Sequence, residues 1–230
     1  MVGNLSHARL LVGAAELIGH LAVLSAADVS TWHYDLVAVV PELRGNRIML
    51  NAYTDDDVAA HVAGEDEETA RRFGWWPKHS TEETVRAAYA DWARNWHDDG
   101  PVRTFAVRDP DTGALVGGCE LRIRLSGSAD VSYWTHADKR GRGHAKNALA
   151  LLIGYSASIG ITRLEARIAP DNHASQRVVE AVGFTPAGTV IDDGTEVLRY
   201  TRRTFLPRYT RRPSLTRYIV RTFLPRRWRS

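Results

Sequence analysis

Lys139-Arg140-Gly141-Arg142-Gly143-His144-Ala145 is a basic, glycine-bearing turn. It joins the strand-like Val131-Ser132-Tyr133-Trp134-Thr135 to an apolar helical run, Ala148, Leu149, Leu151, Leu152, Ile153 and Tyr155. A strand, a turn of this kind and a helix start, in that order, bind an anion. Backbone N–H groups point out of the turn, the helix dipole adds partial positive charge, and glycine lets a phosphate approach the backbone. Two common phosphate binders fit poorly. A Walker loop needs Gly-Lys-Ser/Thr, and the turn offers Gly143-His144-Ala145-Lys146-Asn147. A dinucleotide fingerprint is met by Gly141 and Gly143, with Glu165 at about the right distance for its acidic residue. However, Lys146 fills the third position, which must be small, and several strands precede the motif.

A third reading accommodates the turn. Arg140, Gly143 and Ala145 occupy the first, fourth and sixth places of an Arg/Gln-x-x-Gly-x-Gly/Ala signature. A second block follows at Asn172-His173-Ala174-Ser175-Gln176-Arg177-Val178-Val179-Glu180-Ala181-Val182-Gly183-Phe184, and Ala129-Asp130-Val131-Ser132-Tyr133-Trp134 precedes the turn. Together these resemble the GCN5-related N-acetyltransferase (GNAT) superfamily, in its branch of ribosomal-protein N-terminal acetyltransferases. The resemblance runs from about Leu43 to Arg203 in order and spacing.

That resemblance implies an α+β GNAT fold: a mixed, mostly antiparallel central sheet flanked by helices, with splayed strands forming an acyl-CoA cleft. It implies acetyl-CoA (coenzyme A) as the acyl donor and a primary amine as acceptor, attacking the thioester directly. Strand Val131–Thr135 is expected to bulge and to splay from Arg163–Ile168, with the pantetheine arm along Trp134, Thr135 and His136. Arg140, Gly141, Arg142, Gly143, His144, Ala145 and Lys146 are expected around the pyrophosphate, with Asn172 also touching the cofactor. A backbone N–H of the bulged strand would polarise the carbonyl.

Two proton transfers remain. An alkylamine is mostly protonated at neutral pH, so a base is expected. The candidates are Glu120 first, then His136, with Asp130 as a further carboxylate. The departing thiolate needs a donor. Many members of the superfamily place a tyrosine where this chain has Val179, and the branch resemblance points instead to Ser175. The missing tyrosine keeps a non-catalytic acyl-CoA-binding sensor open as a second reading. Cys119, the one cysteine, reads as a small buried residue rather than an acyl-carrying nucleophile. The histidines are scattered without Cys/His spacing, so no metal site is expected.

The elements that must position these residues follow from pattern. Arg47–Tyr53 alternates like a strand, and Thr54-Asp55-Asp56-Asp57 starts a short helix through Ala63. Gly64 to Lys78 reads as a loop. Ser80-Thr81-Glu82-Glu83 opens a helix to about Asp98, with Val85, Ala88, Tyr89, Trp92 and Trp96 on one face. Strands follow at Val102–Val107, Leu115–Ile123 and Val131–Thr135. Then come a helix near 143–158, a strand at 163–168, a helix at 172–182 and strands at 184–191 and 196–202. Residues 1–43 read as a helical N-terminal extension, 44–203 as the acyltransferase domain and 204–230 as a basic tail.

Charge is unevenly spread. The formal net charge is +3, yet residues 199–230 hold eleven arginines and no Asp, Glu or Lys, leaving the rest of the chain about eight charges negative. The tail repeats Arg199-Tyr200-Thr201-Arg202-Arg203 as Arg208-Tyr209-Thr210-Arg211-Arg212, then again from Arg217-Tyr218. It could be an accidental duplication, an arm for RNA or the ribosome, or added edge strands. The expected acceptor side, residues 55–98, is acidic (Asp55, Asp56, Asp57, Glu65, Asp66, Glu67, Glu68) and aromatic (Phe73, Trp75, Trp76, Trp92, Trp96), which suits a cationic amine such as a protein N-terminus, a polyamine or an aminoglycoside-like compound. Residues 10–24 are apolar but interrupted by Glu16 and His20, too short for a membrane span. A cytoplasmic protein is expected, and a homodimer is among the assemblies considered.

Overall fold

The computed structural model describes residues 40–124 and 127–205, all within one unit of the chain, Val37–Ser230. The expected N-terminal helix and the second and third tail repeats lie outside the described residues. None of the described helices is long and apolar enough to cross a membrane.

The elements run β1 (Leu43–Arg44), β2 (Met49–Asn51), a 3-10 turn (Asp55–Asp57), α1 (Val58–Gly64), α2 (Glu67–Phe73), α3 (Glu82–His97), β3 (Val102–Arg108), β4 (Leu115–Arg124), β5 (Ser128–Thr135), a 3-10 turn (Ala137–Lys139), α4 (His144–Ser158), β6 (Arg163–Ile168), α5 (His173–Ala181), β7 (Thr185–Asp192) and β8 (Thr195–Arg203). The strands form one sheet in the order β1-β2-β3-β4-β5-β6-β8-β7. Every neighbouring pair is antiparallel except β5 with β6. The mixed, mostly antiparallel sheet expected from the sequence is therefore present.

The core sits where apolar faces meet. β3 is buried along its whole length, and Phe105, Leu50, Leu121 and Leu164 are fully inaccessible. α4 turns Ala148, Leu149, Leu152 and Ile153 inward, a helical stripe laid on the sheet. Burying side chains of this size stabilises by roughly 1.5–3 kcal/mol each.

The two arginines of β3 are buried because each is paired. Arg108 donates to both Asp57 carboxylate oxygens, at 2.5 and 2.6 Å, and to Asn51 Oδ1 at 2.7 Å. Arg103 donates to Asp99 and to Gly100 O, and its guanidinium lies 5.0 Å from the Trp96 ring centre. The Arg108–Asp57 pair ties the start of α1 to the sheet. Burial pushes the Asp57 carboxyl up, but hydrogen bonds from Arg108 and Thr54 outweigh that and hold it below the usual carboxylate range.

Two sequence expectations need correction. The segment from Gly64 to Lys78 is not all loop, since it contains α2. Asp66 caps that helix by accepting from Thr69 N at 2.9 Å, and Gly74 ends it at φ 82°. With two buried residues in seven, Thr69 and Ala70, α2 shows almost no apolar periodicity. The second correction concerns β5, which is not bulged. Its register against β4 is unbroken from Arg124↔Ser128 to Gly117↔Thr135, and the irregularities lie in the β3–β4 and β7–β8 pairs. The splay does occur. β5 pairs with β6 only from Ser128↔Arg163 to Asp130↔Glu165, and past that point the strands part.

Candidate active site

The cleft opens where β5 and β6 part, and the basic turn lies at its edge. Gly141 and Gly143 adopt φ of +76° and +82°. Gly143 is the N-cap of α4. The left-handed conformation costs other residues about 1–2 kcal/mol, which accounts for glycine here. The first-turn amides of α4, on His144, Ala145 and Lys146, have no intrahelical acceptor. Burial, then the nearby Arg142, lowers the His144 pKa, so the imidazole adds no charge at neutral pH.

A cavity of about 480 Å³ runs from this turn along β5 to the start of α5. Of the residues expected at the cofactor, Trp134, Thr135, Arg140, Gly141, Gly143, His144, Ala145, Lys146, Asn172 and Ser175 line it. The cations Arg72, Lys139, Arg140, Lys146 and Arg177 face one carboxylate, Glu68. Free helix-start amides, a surplus of cations and an open strand edge fit an acyl-CoA with its phosphates at the turn.

Two expected residues are not brought to that cavity. Arg142 donates to Asp138 O at 3.3 Å and lies outside the lining. His136 is the last rung of the β4–β5 ladder, its N–H donating to Val116 O. Its ring packs against Gly64, where a β-carbon would collide with it, and its Nδ1 lies 2.5 Å from Asp138 Oδ1. His136 lines neither this cavity nor the next.

Arg140 lines the cleft but is already engaged. It donates to Asp66 at 2.7 and 2.8 Å and to Thr69 Oγ1 at 2.8 Å. These bonds, Arg140's first, hold the Asp66 carboxyl far below its ordinary pKa. Arg72 on α2 reaches Asp171 at 2.5 Å. α2 is thus fastened at both ends across the cleft.

The sequence reading overlooked Tyr133. Its hydroxyl lies 2.7 Å from Ser175 Oγ and 3.2 Å from the Ser175 carbonyl oxygen. It spans the gap left where β5 and β6 stop pairing. Asn172 caps α5 by accepting from Ser175 N at 3.0 Å, which fixes the serine. Burial pushes the Tyr133 phenol up to about 12, so it keeps its proton at neutral pH. Val179 is fully buried in the core and could not offer a hydroxyl from that position. The Tyr133 signal was present in the strand preceding the turn, but only the convergence of β5 with α5 shows it.

A second cavity, about 370 Å³, meets the first at Thr69, Phe73, Tyr133 and Trp134, which line both. Its walls carry the rings of Tyr53, His61, Phe73, Trp75, Trp92, Tyr133 and Trp134. Tyr53 and Trp92 are 5.0 Å apart between ring centres, His61 and Trp134 4.5 Å. Gly118 sits beneath this cluster, and a β-carbon there would collide with Tyr53 Oη and Trp134 Nε1.

Glu120 lines this cavity, accepting from Thr104 Oγ1 at 3.3 Å and from Arg122 at 2.8 Å. His61 was another omission of the sequence reading. It is buried, with Nε2 3.2 Å from Glu65 Oε1 and Nδ1 2.9 Å from Tyr89 Oη. A carboxylate beside Nε2 calls for a proton there, so in the neutral ring Tyr89 donates to Nδ1. Burial raises the Tyr89 pKa, which keeps that donor protonated. Cys119 also lines the cavity, but burial drives its pKa well up and the thiolate needed for nucleophilic attack is not formed.

The expected acidic wall is narrower than its composition suggested. Of Asp55, Asp56, Asp57, Glu65, Asp66, Glu67 and Glu68, only Glu65 lines the second cavity. Asp57 is spent on Arg108, Asp66 on Arg140, Glu67 on Arg71, and Glu68 faces the first cavity.

Comparison with known proteins agrees with this geometry. The sequence pattern of the acetyltransferase (GNAT) domain matches residues 47–185. The chain is 25% identical over 154 residues to the uncharacterized N-acetyltransferase YoaA of Bacillus subtilis strain 168, over 65% of this chain and 86% of that protein. It is 26% identical over 97 residues to the uncharacterized N-acetyltransferase p20 of Bacillus licheniformis. That match takes in 41% of this chain and about half, 54%, of the relative. Among solved structures, RimL, a ribosomal L7/L12 alpha-N-protein acetyltransferase in complex with coenzyme A, superposes with a TM-score of 0.63. Its identity is 19%, over 71% of this chain and 98% of that one. A spermidine N-acetyltransferase from Vibrio cholerae, in complex with CoA and spermine, gives a TM-score of 0.59 at 18% identity, over 70% and 97%. At these identities the structures share a fold.

Proposed function

The chain belongs to the GNAT acetyltransferase family, and from that premise we propose that it transfers an acetyl group from acetyl-CoA to the nitrogen of a primary amine by direct attack. The observation that carries this reading is the meeting of two cavities at Tyr133 and Trp134. One is rich in cations and free amides, the other in aromatic rings with carboxylates.

Acetyl-CoA supplies the acyl group as an activated thioester. The amides of His144, Ala145 and Lys146, with Lys139, Arg140 and Lys146, would hold its phosphates, and the open edge of β5 at Trp134 and Thr135 its arm. The Tyr133–Ser175 pair serves the departing sulfur. When Tyr133 donates to Ser175 Oγ, the serine hydrogen remains to be directed into the cleft; when Ser175 donates, the phenol hydrogen is shared between the Ser175 carbonyl oxygen and the cleft. A phenol held near pKa 12 does not surrender its proton outright to a thiolate, whose ordinary pKa is about 8.5. Its contribution is a strong hydrogen bond to the developing charge. Glu120, on the central strand, takes the proton that the acceptor ammonium must lose before it can attack. The aromatic walls exclude water from the meeting point.

The acceptors named for two structural neighbours, a ribosomal-protein N-terminus and spermidine, are amines, which supports an amine acceptor here. The sensor reading drew its support from the absence of a tyrosine at 179. Tyr133, whose hydroxyl meets Ser175 at the first cavity, favours turnover. The test is release of free thiol from acetyl-CoA against a panel of amines. Turnover on at least one supports the reading, while tight acetyl-CoA binding without turnover on any favours the sensor.

A further inference from the structure

The shape and charge of the second cavity restrict the acceptor further, and this deepening rests on the acetyltransferase reading above. We infer that the acceptor is a singly charged primary amine carried on a flat apolar body, an aralkylamine, rather than a polyamine or an aminosugar. Three observations lead there.

The first is charge. The ionic groups of the lining are Glu65, Glu120 and Arg122, two carboxylates against one guanidinium, which leaves one net negative charge. Arg122 is itself bonded to Glu120. The neighbouring acids that could receive second and third ammonium groups are committed to arginines, Asp57 to Arg108 and Asp66 to Arg140. A triamine entering here would bring cationic centres without counter-charges, at a desolvation cost that the cavity does not offset.

The second is surface. Tyr53, Phe73, Trp75, Trp92 and Trp134 give the cavity broad apolar faces, with ring centres of Tyr53 and Trp92 5.0 Å apart. Such faces attract both a cation and another ring, and they offer few partners for the many hydroxyls of an aminosugar. At about 370 Å³ the cavity also lies near the lower end of ligand pockets, ~300 Å³.

The third is the fit to an ammonium head. Glu65 is nearly buried and is held in place by His61, which Tyr89 fixes in turn. Tyr53 Oη is buried in the same wall, beside Trp134 Nε1. Glu65 and Glu120 give this wall two carboxylates that can accept from the N–H donors of a primary ammonium. In the reaction this ammonium loses one proton to Glu120. The amine nitrogen then forms the amide bond to the acetyl carbon as the bond from that carbon to sulfur breaks, and the sulfur leaves with the electron pair.

The test uses the full chain with acetyl-CoA and measures thiol release with 2-phenylethylamine, tryptamine, spermidine and kanamycin. The aralkylamines should show kcat/KM at least about tenfold above the others, the worth of one desolvated cation–π contact. A parallel titration follows tryptophan fluorescence, since Trp75, Trp92 and Trp134 line the cavity. 2-Phenylethylamine should quench it saturably and spermidine should not. In Glu65→Gln, binding of 2-phenylethylamine should weaken by about tenfold or more while 2-phenylethanol, which lacks the charge, binds as before. Trp75→Leu should weaken both. Preferential turnover of spermidine or kanamycin, or equal weakening of amine and alcohol in Glu65→Gln, overturns the inference and leaves the acetyltransferase reading intact. Selective binding of 2-phenylethylamine without thiol release on any amine supports the inference and sinks the reading.

Discussion

Tyr133 on β5 and Ser175 on α5 stand hydroxyl to hydroxyl at 2.7 Å, bridging the gap between the strands that open the cleft. If the pair stabilises the departing sulfur, Tyr133→Phe and Ser175→Ala should each lower kcat by about 10- to 100-fold, the worth of a hydrogen bond to a charged group of ~1.5–3 kcal/mol. KM for acetyl-CoA should change little. Because the two act as a unit, the double variant should be hardly slower than the worse single one. Multiplicative losses in the double variant would separate their roles.

Glu120 and His136 were both expected at the acceptor, and the structure puts only Glu120 in the cavity wall. Glu120→Gln should lower kcat by about 100-fold or more, as removal of a general base does. His136→Ala should stay within about threefold of the parent, since surface or packing changes away from the chemistry seldom do more. Steady-state thiol release checks both, and a His136→Ala enzyme as slow as Glu120→Gln would return the histidine to the mechanism.

Gly143 has only Asn147 Nδ2 within 4 Å of where a β-carbon would lie, at 3.7 Å. Gly143→Trp therefore has room to fold, yet it places an indole at the phosphate turn and a left-handed strain of about 1–2 kcal/mol on the cap. Coenzyme A affinity by calorimetry should fall by more than about tenfold with the melting temperature lowered by only a few degrees. Unchanged affinity would move the phosphates elsewhere.

The Asp57–Arg108 pair makes stability depend on pH. The Asp57 carboxyl is held below its ordinary value in the folded chain, so its contribution is complete above the unfolded pKa of about 3.9 and is lost as pH falls through the folded value. Urea midpoints should hold steady at neutral pH and drop below about pH 4. Asp57→Asn should cost about 3–5 kcal/mol at neutral pH, because it leaves Arg108 buried and uncompensated, and should flatten the acid limb.

Much of the fold was legible from periodicity and caps. β6 runs from Arg163 to Ile168, the bounds expected of it, and α3 begins at the Thr81 cap. The phosphate turn was legible because glycine, cations and a helix start are adjacent in sequence. α2 was not, since it contributes two buried residues and is held by Asp66 and Arg140 from elements 74 residues apart. The same holds for the site. Ser175 belongs to a contiguous block, whereas Tyr133 becomes its partner only when β5 and α5 converge, and His61 meets Glu65 and Tyr89 only inside the folded wall. Composition also said too much, because Asp57, Asp66 and Glu67 read as an acidic surface until each is assigned to its arginine.

α2 contributes Thr69 and Phe73 to both cavities and is pinned by Arg140 at one end and Arg72 at the other. A wall with two sides cannot be displaced on one alone. Phosphates that drew Arg140 away from Asp66 would loosen the helix that also bounds the second cavity, and the affinities for the two substrates would then be linked by a common free energy. That linkage is reciprocal, and whatever factor acetyl-CoA imposes on amine affinity, the amine imposes on acetyl-CoA.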